Sequence, residues 1–84
     1  MFLGDKIREL REARGMSQEF LARLALTSTR TIARIETNRV LPRRATLERI
    51  SVALGVEPGF FHPWVAIPSK RMKRAIGRNS RVMV

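Results

Sequence analysis

The sequence contains no cysteine and a single histidine, His62. Without cysteine the chain forms neither a disulfide nor a thiolate metal site, and one imidazole is a poor basis for a metal centre or for histidine-based catalysis. We therefore expect no metal, no cofactor and no enzymatic activity. Long apolar runs are also missing, because the longest near the C-terminus, WVAI at residues 64–67, is far too short to cross a bilayer.

Acidic residues are scarce. The chain has 17 Lys+Arg against 7 Asp+Glu, a formal net charge of +10. Residues 1–64 contain 11 cations and all 7 acids, a net +4, whereas residues 65–84 contain 6 cations and no acid. Most of the cations are arginine, the side chain suited to phosphates and base edges. The charge predicts a polyanionic partner, nucleic acid first, over a merely soluble basic protein.

The rest of the composition is that of one small folded domain. The 84 residues are 44% hydrophobic with a mean hydropathy of −0.17, which argues against wholesale disorder. The opening stretch, MFLGDKIRELRE, carries charges where a secretory signal needs its apolar core. We therefore expect a cytoplasmic protein.

Apolar residues recur at helical spacing in four segments, and no alternating strand pattern is found. The predicted helices cover residues 5–14, 18–25, 29–37 and 45–54, and residues 56–61 are expected to add a last short helical turn. Ser17 and Ser28 are the expected N-caps. Three residues are expected to end helices in the left-handed conformation: Gly15, Asn38 and Gly55. The apolar face of the second helix is predicted to consist of Phe20, Leu21, Leu24 and Ala25.

The second and third predicted helices are short and are joined by a turn of about three residues, which is the helix-turn-helix arrangement. In the stretch LTSTRTIARIE, Ile32 and Ile35 fall on one side of the helix and Arg30 and Arg34 on the other. The hydroxyl groups at its start can bond phosphate oxygens beside the free backbone N–H groups. The outward arginines can reach guanine O6 and N7 in a major groove.

A long stretch resembles the Cro/lambda-repressor-type helix-turn-helix family, also called the xenobiotic-response-element family: IRELREARGMSQEFLARLALTSTRTIARIETNRVLPRRATLERISVALGVEP. The resemblance covers about residues 4–58 and is carried by IRELREARGMSQEFLA, the Ile-Glu end of the third helix, the proline after it and LERISVALGV. It implies an all-α, five-helix lambda-repressor-like domain at residues 1–61, followed by a basic extension at 62–84. It also implies a bacterial or phage-encoded, nucleoid-associated protein.

The resemblance assigns roles to matching positions. The residues that would read bases are Thr29, Arg30 and Arg34. The residues that would contact phosphates are Gln18, Thr27, Ser28, Thr31, Asn38, Arg39, Arg43 and Arg44. Gln18 would also brace the start of the third helix. The alternatives are that the two arginines are plain solvated side chains and that Thr29 is a simple first-turn residue.

Some positions depart from the family pattern or have a structural interpretation. Leu26 stands where the family's turn usually carries glycine, at a predicted cost of roughly 1 kcal/mol. Arg43 replaces the usual Ser/Thr cap before the fourth helix. Glu36 could be read as catalytic or base-specifying, but we interpret it as the buried partner of Arg11. Three aromatic residues are expected to close the core, with a dimer contact as the second choice: Phe60, Phe61 and Trp64.

The expected function is sequence-specific regulation of transcription by a repressor that binds a pseudo-palindromic operator in double-stranded DNA as a homodimer. An alternative is an antitoxin or phage-type interaction protein, in which residues 60–84 bind a protein partner and DNA binding serves autoregulation. A membrane is not an expected partner, because the basic extension has no clear amphipathic face.

The split of charge between body and extension generates a prediction. Deleting residues 69–84 should weaken binding to all duplexes alike, because this segment is expected to contribute attraction to phosphates that does not depend on the base sequence. The slope of log affinity against log salt should become shallower by about 0.9 for each phosphate that is no longer neutralised. Titrations of an operator and a scrambled duplex across salt concentrations measure both effects. A selective loss of affinity for the operator would contradict this division of labour.

Overall fold

The structure is a computed structural model that describes residues 2–64. This part of the chain is all-helical and contains α1 (Leu3–Ala13), α2 (Gln18–Leu24), α3 (Thr29–Glu36), α4 (Arg44–Leu54) and a 3-10 helix (Pro58–Trp64). The predicted all-α, five-helix class is confirmed. None of these helices is long and apolar enough to span a membrane. The predictions for residues 65–84, including a protein partner for the extension, lie outside the described residues.

The predicted helix boundaries are close but need correction. Helix α1 begins at Leu3 rather than Asp5, since the buried Leu3 extends its apolar face. Helices α1, α2 and α3 each end one residue earlier than predicted, and α4 starts one residue earlier, at Arg44. The last helix is a 3-10 helix that runs on to Trp64, so the predicted domain boundary after residue 61 falls inside it.

The core lies where α1, α2, α3, α4 and the 3-10 helix meet. Its fully buried apolar side chains are Leu3, Ile7, Leu21, Ala22, Ala25, Ile32, Ile35, Ile50, Leu54 and Phe61. In α2 the prediction was partly wrong, because Phe20 and Leu24 remain 45% and 44% exposed. The buried face of α2 includes Ala22 instead. The small side chain of Ala22 lets α2 and α3 approach each other. That rotation moves Phe20 and Leu24 to the outer side.

The aromatic residues of the 3-10 helix close one side of this core, as predicted. Phe61 is fully buried, and its ring lies 5.2 Å from that of Phe60 in an edge-to-face arrangement. Trp64 stacks 5.5 Å from Phe60, and Lys6 Nζ of α1 lies 5.4 Å from the centre of the tryptophan ring. The aromatic residues of the described part of the predicted partner-binding segment are therefore used in packing.

All four α-helices end in the same way. In each, a residue with positive φ lets its own N–H and that of the next residue bond back to the last turn, the Schellman arrangement. The four residues are Gly15 (φ 67°), Leu26 (φ 57°), Asn38 (φ 61°) and Gly55 (φ 74°). Thr27 N–H, for example, donates to the carbonyl of Ala22 at 2.9 Å. The sequence predicted the ends at Gly15, Asn38 and Gly55, and the resemblance predicted a strained leucine at residue 26.

Of these four residues, Leu26 is the one whose positive φ costs the most conformational energy. A leucine in the left-handed region is strained, because its Cβ crowds the following carbonyl. Its side chain is 77% exposed, so little packing offsets the strain. The turn is held by the Thr27 N–H, which donates to the Ala22 carbonyl, and by Arg49 Nε, which donates to the Ala25 carbonyl at 2.8 Å. The turn between α2 and α3 thus forms at a local energetic cost.

Replacing this leucine should stabilise the protein. Leu26→Gly removes the Cβ clash and should raise the free energy of unfolding by about 0.5–1 kcal/mol, the strain relief being partly offset by the greater entropy of the unfolded chain. Urea unfolding followed by circular dichroism measures the change. Leu26→Ala is the matched control, because it shortens the side chain but keeps the Cβ. Equal stabilisation by both variants would refute the strain.

Candidate functional site

Helix α3 is held in place by its cap and its buried face. The Ser28 side-chain oxygen accepts the N–H of Thr31 at 3.1 Å, and the Ser28 hydroxyl donates to Thr31 Oγ1 at 2.9 Å. This is the N-cap that the sequence predicted. Ile32 and Ile35 are buried against the neighbouring helices. The opposite side of α3 is therefore forced to face solvent.

That outer side forms a cationic depression. It has a volume of about 340 Å³ and is lined by Arg30, Ala33, Arg34, Thr37 and Arg39. No acidic residue lines it. The three arginines are exposed, so the depression offers guanidinium donors to a partner of opposite charge. Arg30 and Arg34 come from successive turns of α3, and Arg39 comes from the loop that follows.

The depression contains two residues that were not among the predicted contacts. Ala33 leaves space between the arginines because its side chain is a single methyl group. Thr37 caps the end of α3, and its hydroxyl donates to the Ala33 carbonyl at 2.9 Å. Both share the helical spacing of Arg30 and Arg34, which places them on the same outward face of α3.

The other predicted contact residues lie around the depression rather than in it. Thr29 is exposed at the first position of α3, and Thr27 is half-buried in the turn. Arg43 is the N-cap residue of α4 and makes no side-chain capping bond, as its departure from the family's cap predicted. Arg44 lines a separate groove with Pro42 and the start of the 3-10 helix. Arg43 and Arg44 are thus not brought together with the arginines of α3.

Beneath the site, Arg11 and Glu36 form a buried ion pair. Arg11 Nε donates to Glu36 Oε2 at 2.6 Å and the second guanidinium donor reaches Oε1 at 3.0 Å. A third donor of Arg11 reaches the Met16 carbonyl at 2.6 Å. The Glu36 side chain is only 1% exposed. The hydrogen bonds that Arg11 makes to Glu36 raise the pKa of Arg11 above its ordinary value, so the guanidinium remains a cation.

Gln18 joins this pair and not the start of α3. Its Nε2 donates to Glu36 Oε1 at 3.0 Å, so it braces the C-terminal end of α3. The prediction that it braces the start was wrong, because its amide is used as a donor to the buried Glu36 carboxylate at the other end of α3. The three-member network thereby links α1, α2 and α3.

Asn38 also bonds within the chain. Its Oδ1 accepts the Gly4 N–H at 2.9 Å, and its Nδ2 donates to Asp5 Oδ1 at 3.2 Å. Its own N–H donates to the Ile35 carbonyl at 3.0 Å. The side chain therefore faces α1, whereas the next side chain, that of Arg39, lines the cationic depression.

Comparisons with known proteins agree with this geometry. A family model described as helix-turn-helix matches residues 7–61, which include the whole of α2, α3 and α4. Among solved structures, the chain is similar to the P22 c2 repressor protein in complex with synthetic operator 9T in the presence of Tl+. The two share 25% sequence identity with a TM-score of 0.69, and the match covers 71% of this chain and 91% of the repressor chain. No curated protein matches the chain significantly.

The buried pair generates a stability prediction. Arg11→Met should lower the free energy of unfolding by about 3–5 kcal/mol, because it leaves the Glu36 carboxylate buried without its cation. Adding Glu36→Met should recover part of that loss, since no uncompensated charge remains. Urea unfolding of both variants measures the coupling.

The matched control is Arg23→Met on α2. The Arg23–Glu19 pair is 3.7 Å apart with side chains 72% and 76% exposed, so its loss should cost less than about 1 kcal/mol. A double variant less stable than Arg11→Met alone would mean that packing, not charge, dominates at this site.

Proposed function

Because the chain belongs to the Cro/C1-type helix-turn-helix family, we propose that it is a transcriptional regulator that binds double-stranded DNA through α3. The observation that carries the proposal is the cationic depression, in which three arginines and no acid line the one side of α3 that is not buried. Similarity to a repressor in complex with a synthetic operator supports DNA as the partner.

Arg30 and Arg34 are the proposed base readers. They are four residues apart, which on a helix corresponds to a rise of about 6 Å, close to two base-pair steps of about 3.4 Å. Each guanidinium has the fork of donors that matches guanine O6 and N7 in the major groove. We therefore expect the two arginines to read bases two steps apart, with Thr29 next to the same groove edge.

The proposed phosphate contacts are not all next to this reading face, since Arg44 lines a separate groove. The proposed set is Gln18, Thr27, Ser28, Thr31, Arg39, Arg43 and Arg44. At the start of α3 the Ser28 hydroxyl donates to Thr31 Oγ1, which leaves the Thr31 hydroxyl proton free to donate to a phosphate oxygen. The positive end of α3 favours an anion at the same point.

The size of the reading element supports a homodimer. Helix α3 has 8 residues, a length of about 12 Å, and spans only about four base pairs. So few base pairs carry too little information to define an operator. Two copies on half-sites about one helical turn apart (~34 Å) would double the reading length on a pseudo-palindrome. Such a dimer would repress by occupying the promoter.

Selection of bound duplexes from a random DNA pool at about 150 mM salt tests the proposal under physiological screening. We expect a motif with two-fold symmetry whose half-sites each contain guanines. Binding without any motif would refute sequence-specific regulation, and a single unrepeated motif would refute the homodimer.

The assignment of base readers generates a prediction for Arg34→Ala. The variant should lose about 1–3 kcal/mol of discrimination at one base-pair position in each half-site and keep its preferences elsewhere. Affinities for a panel of singly substituted operators measure this. Arg8→Ala is the control, because Arg8 lies on α1 among Asp5, Glu9 and Glu12 and away from the cationic depression. Uniform weakening by Arg34→Ala across the panel would show that Arg34 contacts phosphate, not a base.

A further inference from the structure

Asn38 occupies the residue after α3 that must take a positive φ, here 61°. Glycine usually fills such a position because it has no Cβ. Asparagine is tolerated there when its short polar side chain makes hydrogen bonds. Both polar atoms of the Asn38 side chain are used in this way, and both partners belong to the first turn of α1.

The two hydrogen bonds satisfy groups that the start of α1 would otherwise leave open. Gly4 N–H is one of the first N–H groups of α1, which have no acceptor inside the helix, and it donates to Asn38 Oδ1 at 2.9 Å. Asp5 accepts Asn38 Nδ2 through Oδ1 at 3.2 Å and the Phe2 N–H through Oδ2 at 3.0 Å. These bonds, first that from Phe2 and then that from Asn38, lower the pKa of Asp5, so its carboxylate remains an acceptor at neutral pH.

Gly4 allows α1 to approach the end of α3 without a side chain between them. A Cβ on Gly4 would lie 2.0 Å from the Ile35 carbonyl oxygen and 2.6 Å from Asn38 Oδ1. No side chain fits at that distance, so the backbone of α1 packs directly on the last turn of α3. The corner after α3 is therefore packed against α1, none of whose residues lines the cationic depression.

Arg39 is the residue whose direction this contact between α1 and the corner would set. Its N–H donates to the Arg34 carbonyl at 2.9 Å, and its side chain lines the depression beside Arg30 and Arg34. Asn38 faces α1 and Arg39 faces the depression, although they are adjacent in the chain. A rotation of the corner that moved Asn38 away from α1 would also move Arg39.

We propose that Asn38 is a positioning residue that, by binding Gly4 and Asp5 of α1, directs Arg39 towards a DNA phosphate, and that Asn38 does not itself contact DNA. This inference rests on the proposed DNA binding. It assigns the first turn of α1, which does not line the cationic depression, a part in the affinity of that face.

The test is the salt dependence of duplex affinity in a double-mutant cycle of Asn38→Gly and Arg39→Ala, using the operator recovered from the selection. Arg39→Ala should reduce the slope of log affinity against log salt by about 0.9, the value for one phosphate contact. Asn38→Gly should reduce the slope by a similar amount although it removes no charge. The double variant should have the slope of Arg39→Ala.

The matched control is Leu26→Gly. It makes the same change to glycine at a helix end of positive φ, but the Leu26 side chain is 77% exposed and makes no hydrogen bond. Its slope should equal that of the wild-type chain. Glycine adopts the required φ at residue 38 without strain, so Asn38→Gly should remain folded, which a thermal melt checks. If it melts below the assay temperature, Asp5→Ala should still lower the slope, because it removes the Nδ2 partner of Asn38, together with the acceptor of the Phe2 N–H, and leaves residue 38 unchanged.

The outcomes separate the two proposals. If Asn38→Gly weakens binding but leaves the slope unchanged, the neutral amide contacts DNA itself and the positioning role is wrong. Additive reductions in the double variant would also overturn it, because Asn38 would then act independently of Arg39. A wild-type chain that binds no duplex would overturn the proposed function together with this inference.

Discussion

The buried pair of Arg11 and Glu36 is the interaction on which the other parts of this small domain depend. Removing two charges from water is expensive unless their hydrogen bonds are well made, and such a pair tolerates little displacement of the helices that carry it. Here the pair takes its cation from α1 and its anion from α3, and Gln18 adds a donor from α2. Among the described residues that are not exposed, no buried side-chain nitrogen or oxygen lacks a partner. One network thus fixes three helices relative to one another.

The position of α3 follows from this network and from the two ends of the helix. At 8 residues, α3 is too short to be stable by itself, so its direction is set by what it packs against. Ser28 caps its start, Glu36 anchors its last turn, and Asn38 ties the corner beyond it to α1. Because Ile32 and Ile35 are buried, Arg30 and Arg34 lie on the side of α3 that faces solvent. The cationic depression is therefore a consequence of how α3 is held as much as of how many cations the chain contains.

The four α-helices all end at a residue of positive φ, and the energetic cost of that conformation differs among them. Each end needs a positive φ, and two of the four use glycine. Leu26 meets the requirement with strain and an exposed side chain, and Asn38 meets it with two added hydrogen bonds. The end of α2 lies within the helix-turn-helix unit and the end of α3 closes it, and these are the two ends that depart from glycine. Of these two, only the corner next to the cationic depression offsets the strain with hydrogen bonds to another helix.

Sequence by itself determined the helices, their caps and the outward direction of Arg30 and Arg34, because periodicity and capping are local and depend on residues within a few positions of one another. The resemblance to one family added the identity of the helix-turn-helix unit. Only the tertiary structure decided that Gln18 meets the end of α3, that Asn38 binds the first turn of α1, and that α2 turns Phe20 outward. Those features arise where helices distant in sequence touch, and their registers are set by close packing at small residues, which no local pattern records.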